Sequence, residues 1–227
     1  MQDRYSRAHL DGQDLRRAVV NERALAAGSD VLLQGEVPTV AHVLLEGHTF
    51  RYRLLDDGRR QITAILMPGD VCDLEAVMRG HADYSVGALT DCVLGEIPIE
   101  KVADPTILDP EMARALWRRL LRDEAISREW LVSMGRRSAI ERVAHLLCEF
   151  RVRLENVGLT MGESFEFRFT QAELGDLLGL STVHVNRVLQ QLRRSGLVAL
   201  SRFRLTILDV TALETLAGFD ATYLMTN

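Results

Sequence analysis

Side chains near residue 185 have the types and spacing that suit contact with the edges of DNA bases. They share one side of a predicted helix and are Thr182, Val183, Asn186 and Arg187. Arginine can donate two hydrogen bonds to guanine, asparagine can pair with adenine, and valine can contact the methyl group of thymine. The other side of the helix is apolar at helical spacing and is formed by Val185, Val188, Leu189 and Leu192. The pattern therefore predicts a helix that packs by one face and reads bases with the other.

A shorter helix is predicted immediately before this one from the signals at its ends. Thr170, followed three residues later by Glu173, forms a capping-box pattern. Gly179 favours the left-handed conformation that ends a helix, and Ser181 can cap the next helix, which should continue to about Ser195. Two helices joined by a three-residue turn indicate a helix-turn-helix.

A basic hairpin is predicted after the second helix. Two apolar segments, 197–200 and 205–208, flank Ser201-Arg202-Phe203-Arg204, so the hairpin forms a wing with a basic tip. Between Arg168 and Leu205 the chain has six arginines and two acidic residues, a local charge of +4 within a protein of net charge −5. Such arginines suit contact with the DNA backbone. We predict backbone contacts for His184, Arg193, Arg194, Arg202 and Arg204.

The N-terminal half has the pattern of a small β domain. Short apolar segments alternate with turn signals from Gly28 to Pro98, among them Asp57-Gly58, a dipeptide that favours tight hairpin turns. Many short strands with regular turns indicate an antiparallel roll or barrel. The sequence therefore predicts an α+β protein that begins with a β-roll domain in residues 1–109.

A long helix is predicted after the roll, in residues 110–136. Its heptad seam is interrupted by Asp123 and comprises Ala113, Leu116, Leu120, Ser127, Trp130 and Met134. An apolar seam on a long helix indicates dimerisation, and packing against the chain's own β-roll is the alternative. We predict a dimer interface that contains Leu116, Leu120, Ser127, Trp130 and Met134. The remaining residues, 137–227, are predicted to form the winged helix-turn-helix domain.

Composition excludes several classes of protein. The apolar fraction of 47% is ordinary for a protein that buries a core, and no run of about 18 apolar residues predicts a membrane span. The polar segment Met1–Arg17 lacks the apolar stretch of a secretory signal, so we predict a cytoplasmic protein. Cys72, Cys92 and Cys148 are widely separated in apolar surroundings and are predicted to be buried and reduced. No catalytic residue, metal site or cofactor is predicted.

The motifs together resemble those of the Crp/Fnr superfamily along essentially the whole chain. The resemblance rests on Gly69-Asp70, on Ile140-Glu141-Arg142-Val143-Ala144, and on the segments 170–175 and 180–187. It implies a cyclic-nucleotide-binding-like β-roll of jelly-roll type as a sensor, a dimerisation helix and a C-terminal DNA-binding module. It also implies a palindromic double-stranded DNA target, a homodimer and contact with RNA polymerase.

The resemblance also implies roles for single residues. Arg187 matches the arginine that reads guanine in the family, and Thr170, Gln171 and Ser181 match residues that lie near the DNA backbone. Val183 stands where many members have a glutamate that reads cytosine. We therefore expect the family's docking geometry but a different target sequence.

The implied effector pocket departs from that of cyclic-nucleotide-binding members. Its candidate residues are Gly69, Asp70, Cys72, Asp83, Tyr84, Ser85 and Ser127. Asp83 lies where an arginine would bind the cyclic phosphate, and a carboxylate repels a phosphate. No cysteine precedes Cys72, which argues against the N-terminal iron–sulfur cluster of oxygen-sensing relatives. The effector is thus an unidentified small molecule, or else the protein's own side chains fill the pocket and DNA binding needs no effector.

Two other functions fit parts of the pattern. A β-roll could be a cupin-like metal-dependent enzyme, for which His42 and His48 would be the available histidines. A cyclic-nucleotide-binding module that docks proteins without binding DNA is the second alternative. Arg187 and the basic wing argue against it.

Overall fold

The computed structural model describes residues 15–104 and 109–225. Within these ranges the chain divides into two compact units, the first ending at Leu121 and the second beginning at Arg122. The elements of the first unit, in chain order, are β1 (Asn21–Leu25), β2 (Asp30–Leu32), β3 (Val40–Glu46), β4 (Thr49–Leu54), β5 (Arg60–Leu66), α1 (Leu74–Arg79), β6 (Ser85–Ala88), β7 (Cys92–Pro98) and α2 (Glu100–Ala103). One continuous helix, α3 (Pro110–Arg136), contains the division.

The first unit is built from two antiparallel sheets. Their strand orders are β1-β7-β3 and β2-β6-β4-β5. Apolar side chains from both sheets are buried, among them Leu44, Ile65 and Leu94 at 0–1% exposure. The prediction of an antiparallel β-roll is confirmed. A helix of six residues, α1, lies between β5 and β6 and was not predicted from the sequence.

The second unit places helices around a small sheet. After the C-terminal part of α3 come α4 (Ala139–Asn156), β8 (Thr160–Met161), β9 (Ser164–Glu166), α5 (Gln171–Leu178), α6 (Thr182–Arg194), β10 (Val198–Ser201), β11 (Arg204–Ile207), α7 (Val210–Ala217) and a 3₁₀ helix (Ala221–Leu224). The sheet is antiparallel with the strand order β10-β11-β9-β8. The largest fully buried side chains of the second unit include Phe150 of α4 and Phe165 of β9.

The alternating phenylalanines after residue 164 show how sequence pattern and strand pairing differ. Phe165 and Phe167 are buried, whereas Glu166 and Arg168 are exposed, as alternation predicts. Only Ser164–Glu166 pairs as a strand, however. Beyond it, Phe167 and Phe169 pack edge-on against Phe150, with ring centroids 6.0 and 5.2 Å away. Aromatic packing thus continues the buried face after the hydrogen-bonded ladder ends.

The three cysteines are free and buried, as predicted. Burial raises the pKa of Cys72 and of Cys148 to about 12, because an apolar environment disfavours the thiolate. No helix among the described residues is long and apolar enough to cross a membrane. In the same part of the chain, no three His, Cys, Asp or Glu side chains come together as a metal site.

Candidate nucleic-acid interface

The helix α5 begins and ends where its sequence signals predict. The Thr170 hydroxyl accepts a hydrogen bond from the backbone N–H of Glu173 at 3.1 Å, and the backbone N–H of Thr170 donates to the Glu173 carboxylate at 2.7 Å. These two bonds complete the capping box. Gly179 ends the helix with a φ of 64°. The first helix of the helix-turn-helix is therefore fixed by local interactions at both ends.

The turn between α5 and α6 depends on a close approach at Gly175. A Cβ atom on this residue would lie 2.6 Å from the backbone carbonyl oxygen of Leu180. That carbonyl belongs to the main chain and cannot rotate away as a side chain could. Glycine at 175 therefore lets the backbone of Leu180 approach closely, so that α6 can begin at Thr182.

The helix α6 has the two faces that the sequence predicts. The buried face is formed by Val185, Val188, Leu189 and Leu192, all at 8% exposure or less. Burial of each such side chain contributes roughly 1.5–3 kcal/mol to the stability of the fold. At the start of the helix, the Ser181 hydroxyl accepts from the backbone N–H of His184 at 3.3 Å. The anchored face fixes which residues point away from the protein.

The outward face of α6 presents the predicted base-reading residues. Thr182, Val183 and Arg187 are exposed, with Val183 at 68%, and Asn186 is half-buried. The amide of Gln190 donates a hydrogen bond to the Asn186 side-chain oxygen at 2.8 Å. The spacing of the helix places Gln190 on the same face as Asn186, although Gln190 is not among the predicted base-contacting residues. The bond, at i, i+4 spacing, orients Asn186.

The wing is a tight hairpin between β10 and β11. Ser201 pairs with Arg204, so Arg202 and Phe203 alone form the loop, which is shorter than the four-residue tip predicted. Arg202 adopts a φ of 53°, a left-handed conformation that suits such a turn. Both loop residues are exposed, and so is Arg204, whose guanidinium contacts the Met161 sulfur at 3.2 Å.

Arg168 and Phe203 form a contact that the sequence did not predict. The Arg168 guanidinium lies 4.8 Å from the centre of the Phe203 ring. The backbone N–H of Phe167 donates to the Phe203 carbonyl at 2.7 Å and so holds the wing against the chain before α5. Arg168 therefore lies against the wing, two residues before the predicted backbone-contacting residue Thr170.

Several arginines on this surface have no acidic partner. Among the described residues, Arg187, Arg193, Arg194 and Arg202 form no ion pair with a carboxylate. Their positive charges are therefore available for an anionic partner. Arg168 differs, since it is paired with Glu166.

The candidate effector residues of the first unit are engaged within the chain. Asp70 is 4% exposed, is paired with Arg119 and accepts from the backbone N–H of Met67 at 3.0 Å. Cys72 is fully buried. Asp83 is paired with Arg79 at 2.8 Å.

The four other candidate effector residues have local roles or lie elsewhere in the fold. The Ser85 hydroxyl accepts from the backbone N–H of Gln34 at 2.9 Å, and Gly69 adopts a φ of 93° in the turn after β5. Ser127 is exposed on the part of α3 that belongs to the second unit. Tyr84 donates to Glu75 at 3.0 Å.

Three of the five residues predicted for the dimer interface of α3 are buried or half-buried in their own chain, whereas Ser127 and Met134 are exposed. Leu116 is 5% exposed in the core of the first unit, and Leu120 packs against the same cluster. In the second unit the Trp130 indole N–H donates to Glu149 at 2.9 Å, and Met134 lies against Gly179. The alternative considered from the sequence, packing against the chain's own β-roll, thus describes Leu116 and Leu120, whereas Trp130 and Met134 contact residues of the second unit.

A different apolar stripe of α3 faces outward. Trp117, Leu121 and Leu131 are 66%, 61% and 73% exposed. Each follows a residue of the predicted seam by one position, which is a rotation of about 100° around a helix. Glu124 and Arg128 fall on the same stripe and are paired with each other. We call these five residues the outer stripe.

Comparisons with known proteins cover both units. A model of the cyclic nucleotide-binding domain matches residues 22–104, and a model of the Crp-like helix-turn-helix domain matches residues 141–216. The transcriptional activator protein FnrL of Cereibacter sphaeroides is 30% identical over 208 residues, which are 88% of this chain and 81% of that protein. The nitrogen fixation regulation protein FixK of Bradyrhizobium diazoefficiens is 29% identical over 196 residues, 85% of this chain and 80% of the relative.

A solved structure of FixK2 from Bradyrhizobium japonicum matches the same architecture. It is 25% identical, with a TM-score of 0.77 over 86% of this chain and 96% of the FixK2 chain. The β-roll, the long helix and the winged helix-turn-helix are all present in this protein. The chain belongs to the Crp/Fnr family and is a DNA-binding transcription regulator.

Proposed function

We propose that the protein binds a palindromic double-stranded DNA site as a homodimer and so regulates genes beside that site. The observation that carries the proposal is α6, whose apolar face is anchored while Thr182, Val183 and Arg187 point outward. A helix of this kind enters the major groove and reads bases with its N-terminal residues. With Asn186, these residues make the base contacts of the proposal.

The backbone contacts surround this helix in the proposal. They are made by Thr170, Gln171, Ser181, His184, Arg193, Arg194, Arg202 and Arg204. Arg168 joins them, because Phe203 holds its guanidinium beside the wing. Phosphate contacts fix the register of a protein on DNA and make its affinity depend on salt. Arg168→Ala should therefore weaken binding to all sequences alike and lower the dependence of affinity on salt.

The dimer of the proposal forms through the outer stripe of α3, which replaces the seam predicted from the sequence. Residues 117, 121, 124, 128 and 131 alternate by four and three, the spacing of a coiled-coil seam. Glu124 and Arg128 neutralise each other within one protomer, so the stripe carries no net charge against a second copy of the same helix. Two parallel helices then place both recognition helices on one side of the dimer.

The proposed function also implies a location in the cytoplasm and a further partner, RNA polymerase. A regulator that acts on chromosomal DNA works in the cytoplasm, and its promoter-bound form contacts RNA polymerase, as the family resemblance implies. In many members a small molecule in the N-terminal domain controls these steps. The protein acts by binding rather than by catalysing a reaction, which sets aside a cupin-like enzyme and a module that only docks proteins.

Selection of DNA from a random pool tests the proposal directly. The purified full-length protein should enrich a two-fold palindrome with half-sites about 10 base pairs apart, centre to centre. Arg187→Ala, tested in parallel, should enrich a less specific pool. If no sequence is enriched, either by the protein alone or after addition of a small-molecule extract of the cells, the proposed function is wrong.

A further inference from the structure

We propose that Arg51 is a built-in substitute for an effector, so that the regulator binds DNA with no small molecule in its first unit. The inference rests on the proposed DNA-binding function and concerns its control. It starts from the two segments that the family resemblance assigns to the effector pocket, residues 69–73 and 82–85. The Arg51 side chain joins these two segments from inside the protein.

Arg51 lies on β4 and is only 6% exposed. Its guanidinium donates to the backbone carbonyls of Cys72 and Val71, each at 2.9 Å, and to the Glu75 carboxylate at 3.1 Å. A buried cation is costly unless a counter-charge and hydrogen bonds compensate it. Here one carboxylate and two carbonyls supply that compensation, so the segment from Val71 to Glu75 is held around a positive charge of the protein itself.

The second segment contacts the same guanidinium. The Tyr84 ring lies 5.4 Å from the Arg51 guanidinium carbon, and the Tyr84 hydroxyl donates to the other oxygen of Glu75 at 3.0 Å. Burial raises the pKa of Tyr84 well above its ordinary value, which keeps the hydroxyl protonated as a donor. Arg51, Glu75 and Tyr84 therefore form one closed cluster across both segments.

The first segment is also tied to the long helix. Asp70 accepts from Arg119 of α3, and the side chains of this pair are only 6% and 12% exposed. In an effector-controlled member, the ligand supplies contacts that order the pocket and its helix. In this protein, side chains bonded to one another supply the order. An anionic ligand would have to displace the Glu75 carboxylate from Arg51, a guanidinium whose side chain is only 7% exposed, and leave that carboxylate, 29% exposed, without its cation.

The first experiment removes any co-purified small molecule. The full-length protein is unfolded in urea, dialysed and refolded, and its affinity for the selected palindrome is compared with that of natively purified protein. We expect the two affinities to agree within about two-fold, since an effector typically changes affinity by about 5- to 150-fold. Cyclic AMP and cyclic GMP should change neither affinity.

The second experiment removes the guanidinium of Arg51. Arg51→Ala should bind the palindrome roughly ten-fold more weakly, and methylguanidinium chloride should restore part of this loss where equal sodium chloride does not. Arg60→Ala is the matched control. Arg60 lies on the neighbouring strand β5, and its guanidinium also stacks on aromatic rings, those of Phe50 and Tyr52. Its affinity should stay near that of the parent protein.

Two milder variants keep the test decisive if Arg51→Ala does not fold. Tyr84→Phe removes the bond to Glu75 and keeps the ring, and Arg119→Ala removes the pair with Asp70. Each should weaken DNA binding while circular dichroism stays unchanged. Full affinity in both variants would overturn the inference.

The outcomes separate the inference from the proposed function. Refolded protein that binds DNA only after a small-molecule extract is added would overturn the role of Arg51 and leave the regulator function intact. Protein that binds no specific DNA under either condition would overturn the proposed function itself.

Discussion

At the scale of single residues, Arg187 and Arg202 should serve DNA binding in different ways. Arg187 lies on the outward face of α6, whereas Arg202 lies in the loop of the wing. Arg187→Ala should cost about 1–3 kcal/mol at the cognate site and relax the preference at one base pair. Arg202→Ala should weaken cognate and random DNA equally and reduce the salt dependence. Equal losses of Arg187→Ala on both DNAs would refute the assignment of base reading, and titrations at several salt concentrations measure both effects.

His145 makes the stability of the second unit depend on pH. It is 2% exposed, and burial together with the charge of Arg137 lowers its pKa to about 4, although Glu129 partly opposes this. Between pH 6.5, its ordinary pKa, and 4 the unfolded chain binds a proton that the folded chain does not. The contribution of a neutral His145 to the free energy of unfolding is therefore fully present above pH 6.5. It decreases as the pH falls from 6.5 to 4.

His145→Phe isolates this contribution. The substituted ring should pack against the neighbouring Phe219 and Tyr223, and it cannot bind a proton. Between about pH 7.5 and about pH 5 the parent should lose about 2 kcal/mol more stability than the variant. Urea unfolding at both pH values measures the difference, in which titrating groups remote from His145 cancel. An equal pH dependence of both proteins would contradict a buried neutral His145.

At the scale of elements, the helix-turn-helix should be sensitive to one added methyl group at Gly175. Gly175→Ala places a carbon 2.6 Å from the Leu180 carbonyl, so the turn must shift. We expect a loss of about 1–3 kcal/mol in stability and weaker DNA binding. Gly135→Ala is the control, since its added carbon would meet no atom within 4 Å beyond its chain neighbours and the backbone of its own helix. It should be neutral or stabilise α3 by up to about 1 kcal/mol. Equal melting temperatures for both variants would show that the close approach is unimportant.

The helix-turn-helix could be predicted from sequence because its determinants are local. The Thr170–Glu173 box and the left-handed Gly179 act within a few residues, and the face of α6 follows from helical spacing. The position of Arg51 could not be predicted. Its role depends on carbonyls and side chains about 20 to 33 residues away, which strand alternation does not specify.

The outward side of α3 could not be predicted either. Two neighbouring stripes of the helix carry apolar residues at heptad spacing, one through Leu116 and one through Trp117. Which stripe faces outward depends on long-range packing, because Leu116 enters the core of the first unit. The spacing therefore predicts the helix and its period, but it cannot distinguish the two stripes. The predicted dimer interface lies on the stripe through Leu116, whereas the more exposed stripe is the one through Trp117.

At the scale of the whole molecule, the outer stripe should control assembly. Leu121→Glu and Leu131→Glu place charges in the proposed dimer seam and should convert the dimer to a monomer in sedimentation measurements. Leu208→Glu is the control, because Leu208 is also exposed, at 57%, but lies after β11. Leu116→Ala should instead lower stability by about 2–5 kcal/mol as a core substitution, without a change in mass. Dimers that persist in both glutamate variants would place the interface elsewhere.

The rates at which the buried cysteines react with thiol reagents measure how often each unit opens. With a pKa of about 12, the Cys72 and Cys148 thiols are almost entirely protonated near neutral pH and react slowly with maleimides while folded. Cys72 lies in the first unit and Cys148 in the second, so each thiol becomes reactive only when its own unit opens. Labelling followed by mass spectrometry would therefore time the opening of the first unit and of the second unit separately, with no residue substituted.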